Sequence, residues 1–241
     1  MVEIVKTPAY SKSILLLSVI LKSIIIFFLI LGFSITIVQA VEDKSALIFS
    51  YFTIISNFFI LISTTIFLIS DVGRYFNKDW YASRFFFNMR FFALIAITMT
   101  GCLFDFVLVP VGGTDLLNSI DSVCFHVIVP FFSMVDFLVC NTVYKIRIKD
   151  ILASLLYPIC YLGMIMAMSY SGIRWEDTLT GGVAYAPYPF LDYHANTWFH
   201  QGQYIGVFYW VIILIAAFLA LGFLYRLLQY IIKKKHIHIF R

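Results

Sequence analysis

The sequence of 241 residues has little charge: Asp, Glu, Lys and Arg together make up 12% of it, while 62% is hydrophobic. The mean hydropathy of +0.94 excludes an ordinary soluble globular domain. Only four cysteines are present, Cys102, Cys124, Cys140 and Cys160, and each lies in an apolar stretch. They predict no disulfide framework and give no indication of the redox compartment. No repeat, long linker or soluble domain is evident, so we expect a single domain over residues 1–241.

The sequence is dominated by long apolar runs. Because about 18 or more consecutive apolar residues are typical of a bilayer span, the runs predict an all-α polytopic membrane protein with six transmembrane helices. The first run is too long for the apolar core of a signal peptide, which favours an uncleaved first helix. The predicted spans are residues 13–40, 46–70, 89–111, 119–143, 151–170 and 205–231.

The basic residues predict the orientation of these spans. Most of the 17 Lys and Arg residues fall in the N-terminal tail, the second and fourth loops and the C-terminal end. By the positive-inside rule this distribution places both termini in the cytoplasm. The net charge of +4 then reflects contact with anionic lipid, and we expect the bilayer as a partner and no nucleic acid. The oligomeric state is left open.

The longest segment outside the spans is the external loop, residues 171–204. It contains Tyr185-Ala186-Pro187-Tyr188-Pro189-Phe190-Leu191-Asp192-Tyr193. Two prolines restrict the backbone on both sides of Tyr188, and so many aromatic rings argue against disorder. We therefore expect a rigid cap that folds onto the ends of the helices.

Polar side chains within the predicted spans identify a candidate site. Because such groups are costly in hydrocarbon, they usually face the interior of the bundle. At about 1.5 Å per residue, Thr53, Asp105 and His126 all lie roughly 10 Å below the outer boundary. A hydroxyl, a carboxylate and an imidazole are therefore expected to meet in the outer half of the membrane.

Threonine and histidine at one depth suggest acyl-transfer chemistry. A neutral His126 can take the hydroxyl proton of Thr53, whose oxygen then attacks an ester carbonyl. Asn57, one helical turn from Thr53, is a candidate donor to the oxyanion. Asp105 is a candidate for orienting His126, on the basis of depth alone. One histidine and a distant carboxylate are too few ligands for a metal, so we expect neither metal nor cofactor.

A second pair of polar residues lies deeper, towards the cytoplasmic side. Lys22 in the first span and Asp136 in the fourth are at matching depths, and each needs a partner of opposite charge in hydrocarbon. We expect a Lys22–Asp136 ion pair with a structural role, in which it fixes the register of the two helices. Part of a proton pathway is the alternative.

Short strings around these residues resemble a known family. Residues 51–57 (YFTIISN) and 126–131 (HVIVPF) resemble the androgen-induced protein family, which includes the androgen-dependent TFPI-regulating protein and bacterial six-helix relatives. Tyr157-Pro158 and residues 188–192 (YPFLD) look like the bacterial members. The resemblance implies an integral-membrane threonine hydrolase of fatty acid esters of hydroxy fatty acids in a bacterial plasma membrane, with Thr53 as nucleophile and His126 as base.

Other functions remain open from the sequence. A small transporter or proton-coupled channel would use Lys22, Asp105, His126 and Asp136 as relay groups. A lipid acyltransferase would share the acyl-enzyme, with Thr53 or a cysteine, Cys124 or Cys102, as nucleophile. A purely structural or signalling membrane protein is the remaining alternative.

Overall fold

The computed structural model describes residues 11–76, 83–113, 118–140, 144–176, 182–199 and 205–239. Within these ranges six helices are long and apolar enough to cross a bilayer, which confirms the predicted all-α membrane fold. A helix is suited to hydrocarbon because it satisfies its backbone hydrogen bonds internally. The helices are α1 (Lys12–Glu42), α2 (Phe52–Tyr75), α3 (Arg84–Leu108), α4 (Ile120–Cys140), α5 (Ile148–Tyr170) and α6 (Val207–Ile239).

Several boundaries differ from the sequence prediction. The second span was expected to begin at residue 46, but residues Leu47–Ser50 form a 3-10 turn and α2 begins at Phe52. The reason is local: Tyr51 is extended (φ −70°, ψ 139°), and this breaks the helix between the turn and α2. Helix α3 begins five residues earlier than predicted, at Arg84. The predicted end of the fourth span, residues 141–143, lies outside the described residues.

Helix α3 is the centre of the bundle. Its residues Ala93, Leu94, Ile95, Ala96 and Ile97 are consecutive and all at most 1% exposed, so that every face of the helix is covered by protein. Helices α2 and α4 pack closely against one side of α3, and α1 packs across α2 and α4, whereas α5 and α6 cover the other side of α3 more loosely. The bundle therefore has a tight four-helix part and a looser pair at its edge.

Helices α3 and α4 are interrupted by π-helical segments, and α5 by a break. The α-helical part of α3 is Arg84–Leu103, followed by the π-helical segment Phe104–Leu108 and a last turn, Val109–Gly112. Helix α4 consists of Ile120–Val123, the π-helical segment Cys124–Ile128, and Val129–Cys140. Helix α5 is divided at Leu155 into Ile148–Ser154 and Leu156–Tyr170.

The described part of the loop between α5 and α6 folds onto the ends of the helices, the arrangement expected of a cap. It contains a two-stranded antiparallel sheet, β1 (Trp175–Glu176) and β2 (Val183–Ala184), a 3-10 turn Pro189–Leu191 and a helical turn Tyr193–Asn196. The buried Trp175 indole donates to the Ser50 hydroxyl at 2.8 Å. Residues 177–181 and 200–204 of the predicted cap lie outside the described residues.

Candidate functional site

Thr53 and His126 are in direct contact at the end of the bundle that the loop covers. The distance from Thr53 Oγ1 to His126 Nε2 is 3.2 Å, which is hydrogen-bonding distance. The other ring nitrogen, Nδ1, lies 2.9 Å from the Ser122 carbonyl oxygen and 3.2 Å from the Ser122 hydroxyl. A carbonyl can only accept, so Nδ1 carries the proton and Nε2 is free to accept from the threonine hydroxyl. This is the protonation state that a general base requires.

Thr53 is the second residue of α2, and its position follows from the break at Tyr51. Ile54 and Ile55 donate their backbone N–H groups to the Tyr51 carbonyl, both at 3.1 Å, and so form the first turn. The first residues of a helix have N–H groups without a partner inside the helix, and this end carries partial positive charge. Thr53 therefore lies where a developing negative charge is stabilised.

His126 lies in the π-helical segment of α4, and a matching π-helical segment faces it from α3. Each segment is followed by a Val-Pro pair, Val109-Pro110 in α3 and Val129-Pro130 in α4. The valine N–H reaches back five residues, to Phe104 and Cys124 respectively. Proline has no N–H and its ring clashes with the carbonyl four residues earlier, so the preceding turn widens.

The imidazole is held between these two widened turns. The Phe104 ring stacks on the His126 ring with centroids 3.8 Å apart and an angle of 12° between the planes. Gly101 allows α3 and α4 to approach: a Cβ there would lie 2.9 Å from the His126 carbonyl oxygen. Stacking on Phe104 and the contacts of the two ring nitrogens with Ser122 and Thr53 restrict the ring to one orientation.

Tyr188 from the cap reaches the same point. Its hydroxyl accepts from the Thr53 backbone N–H at 3.4 Å. The ring packs edge-on against Tyr51 at 5.7 Å and parallel to Phe190 at 5.4 Å. Burial of the hydroxyl raises the pKa of Tyr188 from 10.0 to about 12. The phenol therefore keeps its proton at neutral pH and is available as a donor.

The described contacts of Asn57 and Asp105 do not test the roles expected of them. The Asn57 amide nitrogen donates to the Thr53 carbonyl at 2.8 Å and to the Phe125 carbonyl at 3.4 Å, so it connects α2 to α4. Both of its hydrogens are used, and no contact supports donation to an oxyanion. Asp105 is on the exposed side of α3, while His126 Nδ1 faces Ser122. Their catalytic roles stay predictions without a contact behind them.

Lys22 and Asp136 meet at the opposite end of the bundle, within a larger cluster. Lys22 Nζ lies 2.7 Å from Asp136 and 2.9 Å from Asp71, and it donates to the Ser18 hydroxyl at 2.5 Å. Arg90 pairs with the second oxygen of Asp136. All five side chains are buried, and Arg74, 3.6 Å from the other oxygen of Asp71, adds a third cation at the edge of the cluster. Such a paired, hydrogen-bonded arrangement is what allows charges to persist in an apolar interior.

Reasoning from the sequence missed several of these residues. Nothing in the sequence pattern singles out Arg90 or Asp71 as partners of Lys22 and Asp136, although both lie within helices whose other residues are largely apolar. Tyr188 was expected only to be part of the cap, since nothing in its sequence context shows where its hydroxyl points. No group of three or more His, Cys, Asp and Glu that could hold a metal ion occurs among the described residues.

Comparisons with family models, with curated proteins and with solved structures find no match.

Proposed function

We propose that the protein is an intramembrane lipid ester hydrolase in which Thr53 is the nucleophile and His126 the general base. The observation that carries the proposal is the 3.2 Å contact between Thr53 Oγ1 and His126 Nε2, with Nδ1 held by Ser122. A nucleophile, a base and a group that orients the base are the minimum for acyl transfer.

The first half-reaction acylates Thr53. His126 Nε2 takes the hydroxyl proton while Thr53 Oγ1 forms a bond to the ester carbonyl carbon, which becomes tetrahedral and carries an oxyanion. The neutral phenol of Tyr188, which lies beside the start of α2, donates to this oxyanion. When the intermediate collapses, the bond to the alcohol oxygen breaks and His126 gives its proton to the departing alcohol.

The second half-reaction releases the acid. His126 Nε2 takes a proton from water as the water oxygen attacks the carbonyl of the acyl-threonine. Collapse of this second intermediate breaks the bond to Thr53 Oγ1, which receives the proton from His126. An acceptor alcohol in place of water would give acyl transfer, so the same site is compatible with the acyltransferase alternative.

The class of substrate is supported by place and by resemblance. The contact lies between helices that are long and apolar enough to span a membrane, the environment in which lipid esters dissolve. The strings at residues 51–57 and 126–131 support fatty acid esters of hydroxy fatty acids or similar lipids as substrates. The basic residues and the bacterial-like strings support a bacterial plasma membrane, cytoplasmic termini and a site in the outer half.

The test is hydrolysis of hydroxy-fatty-acid esters, monoacylglycerols and aryl esters by protein purified in detergent. Thr53→Ala and His126→Ala are expected to lose at least about 100-fold in kcat, because general base catalysis contributes ~10²–10⁴. Thr53→Ser restores the nucleophile and should recover activity. Thr64→Ala, three turns along the same helix, is the matched control. Full activity in Thr53→Ala, or no turnover of any ester by the wild-type protein, would contradict the proposal.

A further inference from the structure

An apolar cavity lies beside the reacting pair, between α5 and α6. Helix α6 lines it with Val211, Leu214, Ile215 and Phe218, which share one face because they follow helical spacing. The facing wall of α5 includes Leu162. The volume is about 70 Å³, several times the ~10–15 Å³ that one water molecule requires. Its lining is almost wholly apolar, so water gains few hydrogen bonds there.

The cavity borders two residues that adjoin Thr53. Its lining includes Phe52, the residue before Thr53, and the ring of Tyr188, whose hydroxyl contacts Thr53. Tyr188 thus has an apolar face towards the cavity and a polar end towards the nucleophile. A ligand that fits both surfaces has a long apolar part joined to a carbonyl.

The cavity also reaches the lipid-facing side of the bundle. Ile159 of α5 lines it and is 53% exposed. Helix α6 packs against the first half of α5, Ile148–Ser154, whereas the half that lines the cavity, Leu156–Tyr170, contacts α6 only weakly. A chain dissolved in the bilayer can therefore slide between them without leaving an apolar environment, and it gives up no hydration.

We propose that this cavity binds the fatty acyl chain of the ester, so that the chain passes between α5 and α6 and its carbonyl stops at Tyr188 and Thr53. This inference rests on the proposed hydrolase function and assigns the substrate chain to a site. The face from Val211 to Phe218 is about 10 Å long. A chain of medium length is therefore expected to fill it better than an acetyl group.

The experiment compares acetyl and octanoyl aryl esters on the wild type, Thr53→Ala, Leu214→Trp and Ile213→Trp. Ile213 is the control, because it neighbours Leu214 but is 46% exposed and lies outside the cavity lining. Each methylene that the cavity buries raises kcat/KM by a factor of about four. Leu214→Trp should lower kcat/KM for the octanoyl ester about 100-fold and leave the acetyl ester within about threefold. Ile213→Trp should change neither.

A second measurement does not depend on turnover. An octanoic acid with a photoreactive diazirine is expected to label α5 and α6 residues of the cavity in the wild type, Thr53→Ala and Ile213→Trp, but not in Leu214→Trp. Leu162→Trp blocks the cavity from the other wall, should Leu214→Trp fail to fold.

The outcomes separate the two proposals. In one outcome Thr53→Ala is inactive, but Leu214→Trp has the same chain-length preference and the same labelling pattern as the control Ile213→Trp. The cavity assignment is then overturned and the hydrolase proposal stands. If Thr53→Ala keeps its activity, or the wild type has none, the hydrolase proposal is overturned. Labelling confined to the cavity would then support a lipid-binding site without this chemistry, and labelling elsewhere would overturn both.

Discussion

Tyr188→Phe removes one oxygen at the point where the cap meets the nucleophile. The ring contacts with Tyr51 and Phe190 persist in the variant, so the apolar wall stays in place. What is lost is the hydrogen bond to the Thr53 backbone N–H and the proposed donor to the oxyanion. A neutral hydrogen bond contributes about 1 kcal/mol to stability. An oxyanion donor contributes about 2.7–4 kcal/mol to the transition state, or ~10²–10³ in kcat.

The assay therefore measures kcat, KM and thermal stability of the same preparation. We expect kcat to fall at least about 100-fold with KM within about threefold of wild type, because the donor acts on the transition state and not on the bound ester. Tyr185→Phe is the matched control: Tyr185 is in the same cap, but it stacks on His194 at 3.6 Å. A fall in kcat of less than about threefold in Tyr188→Phe would refute the role of Tyr188 as oxyanion donor.

The pH dependence tests the same hydroxyl in another way. Burial raises the pKa of Tyr188 to about 12 from 10.0, so the folded protein holds the phenolic proton where the unfolded chain has lost it. The stability gained in this way is complete below pH 10.0 and is lost as pH rises towards about 12. We expect kcat to show no phenolic loss near pH 10. A decline in wild-type kcat with an apparent pKa near 10, missing in Tyr188→Phe, would contradict the raised pKa.

Two further predictions concern the supporting structure. Lys22→Met removes the cation that contacts both Asp136 and Asp71, and leaves Asp71 with only the longer ionic contact to Arg74 at 3.6 Å, so it should destabilise the fold by about 3–5 kcal/mol. Adding Asp71→Asn should recover part of the loss in Tm. A Lys22→Met variant of unchanged Tm would show that the cluster does not hold the helices. Gly101→Ala forces a Cβ to within 2.9 Å of the His126 carbonyl oxygen and should lower both activity and Tm, with overpacking of about 1–3 kcal/mol. Gly163→Ala, with no atom within 4 Å of the added carbon, should leave both unchanged or slightly improved, and equal effects of the two would count against the close contact.

The sequence predicts the membrane architecture well because each span is recognised from the average hydropathy of about twenty residues. Apolar runs identify six spans, and depth along a straight helix depends only on a constant rise per residue. This is why Thr53 and His126 could be paired across 73 positions, and Lys22 with Asp136 across 114. The depth of a residue in the membrane does not depend on the rotation of its helix, so the estimate holds even where the local helix geometry changes.

Rotation and side-chain direction could not be predicted in the same way. Asp105 has the right depth but lies on the exposed side of α3, so depth alone gave it the wrong surroundings. The carbonyl of Ser122 took the place expected for a carboxylate, and backbone groups leave no residue-specific signal. Tyr188 comes from a loop whose path depends on packing against the finished bundle. The two Val-Pro pairs were the one readable sign of altered helix geometry near the site.

The two π-helical segments have a consequence for how α4 is used. A widened turn amounts to one extra residue, and one residue corresponds to about 100° of rotation around the helix axis. The part of α4 before Val129-Pro130 is therefore turned relative to the part that carries Asp136, so one helix addresses two different neighbours at its two ends. The direction of the His126 side chain is therefore independent of the direction of the Asp136 side chain, which stays in contact with Lys22 and Arg90. If a single residue were removed from this segment, α4 could no longer direct both His126 and Asp136 towards their present partners.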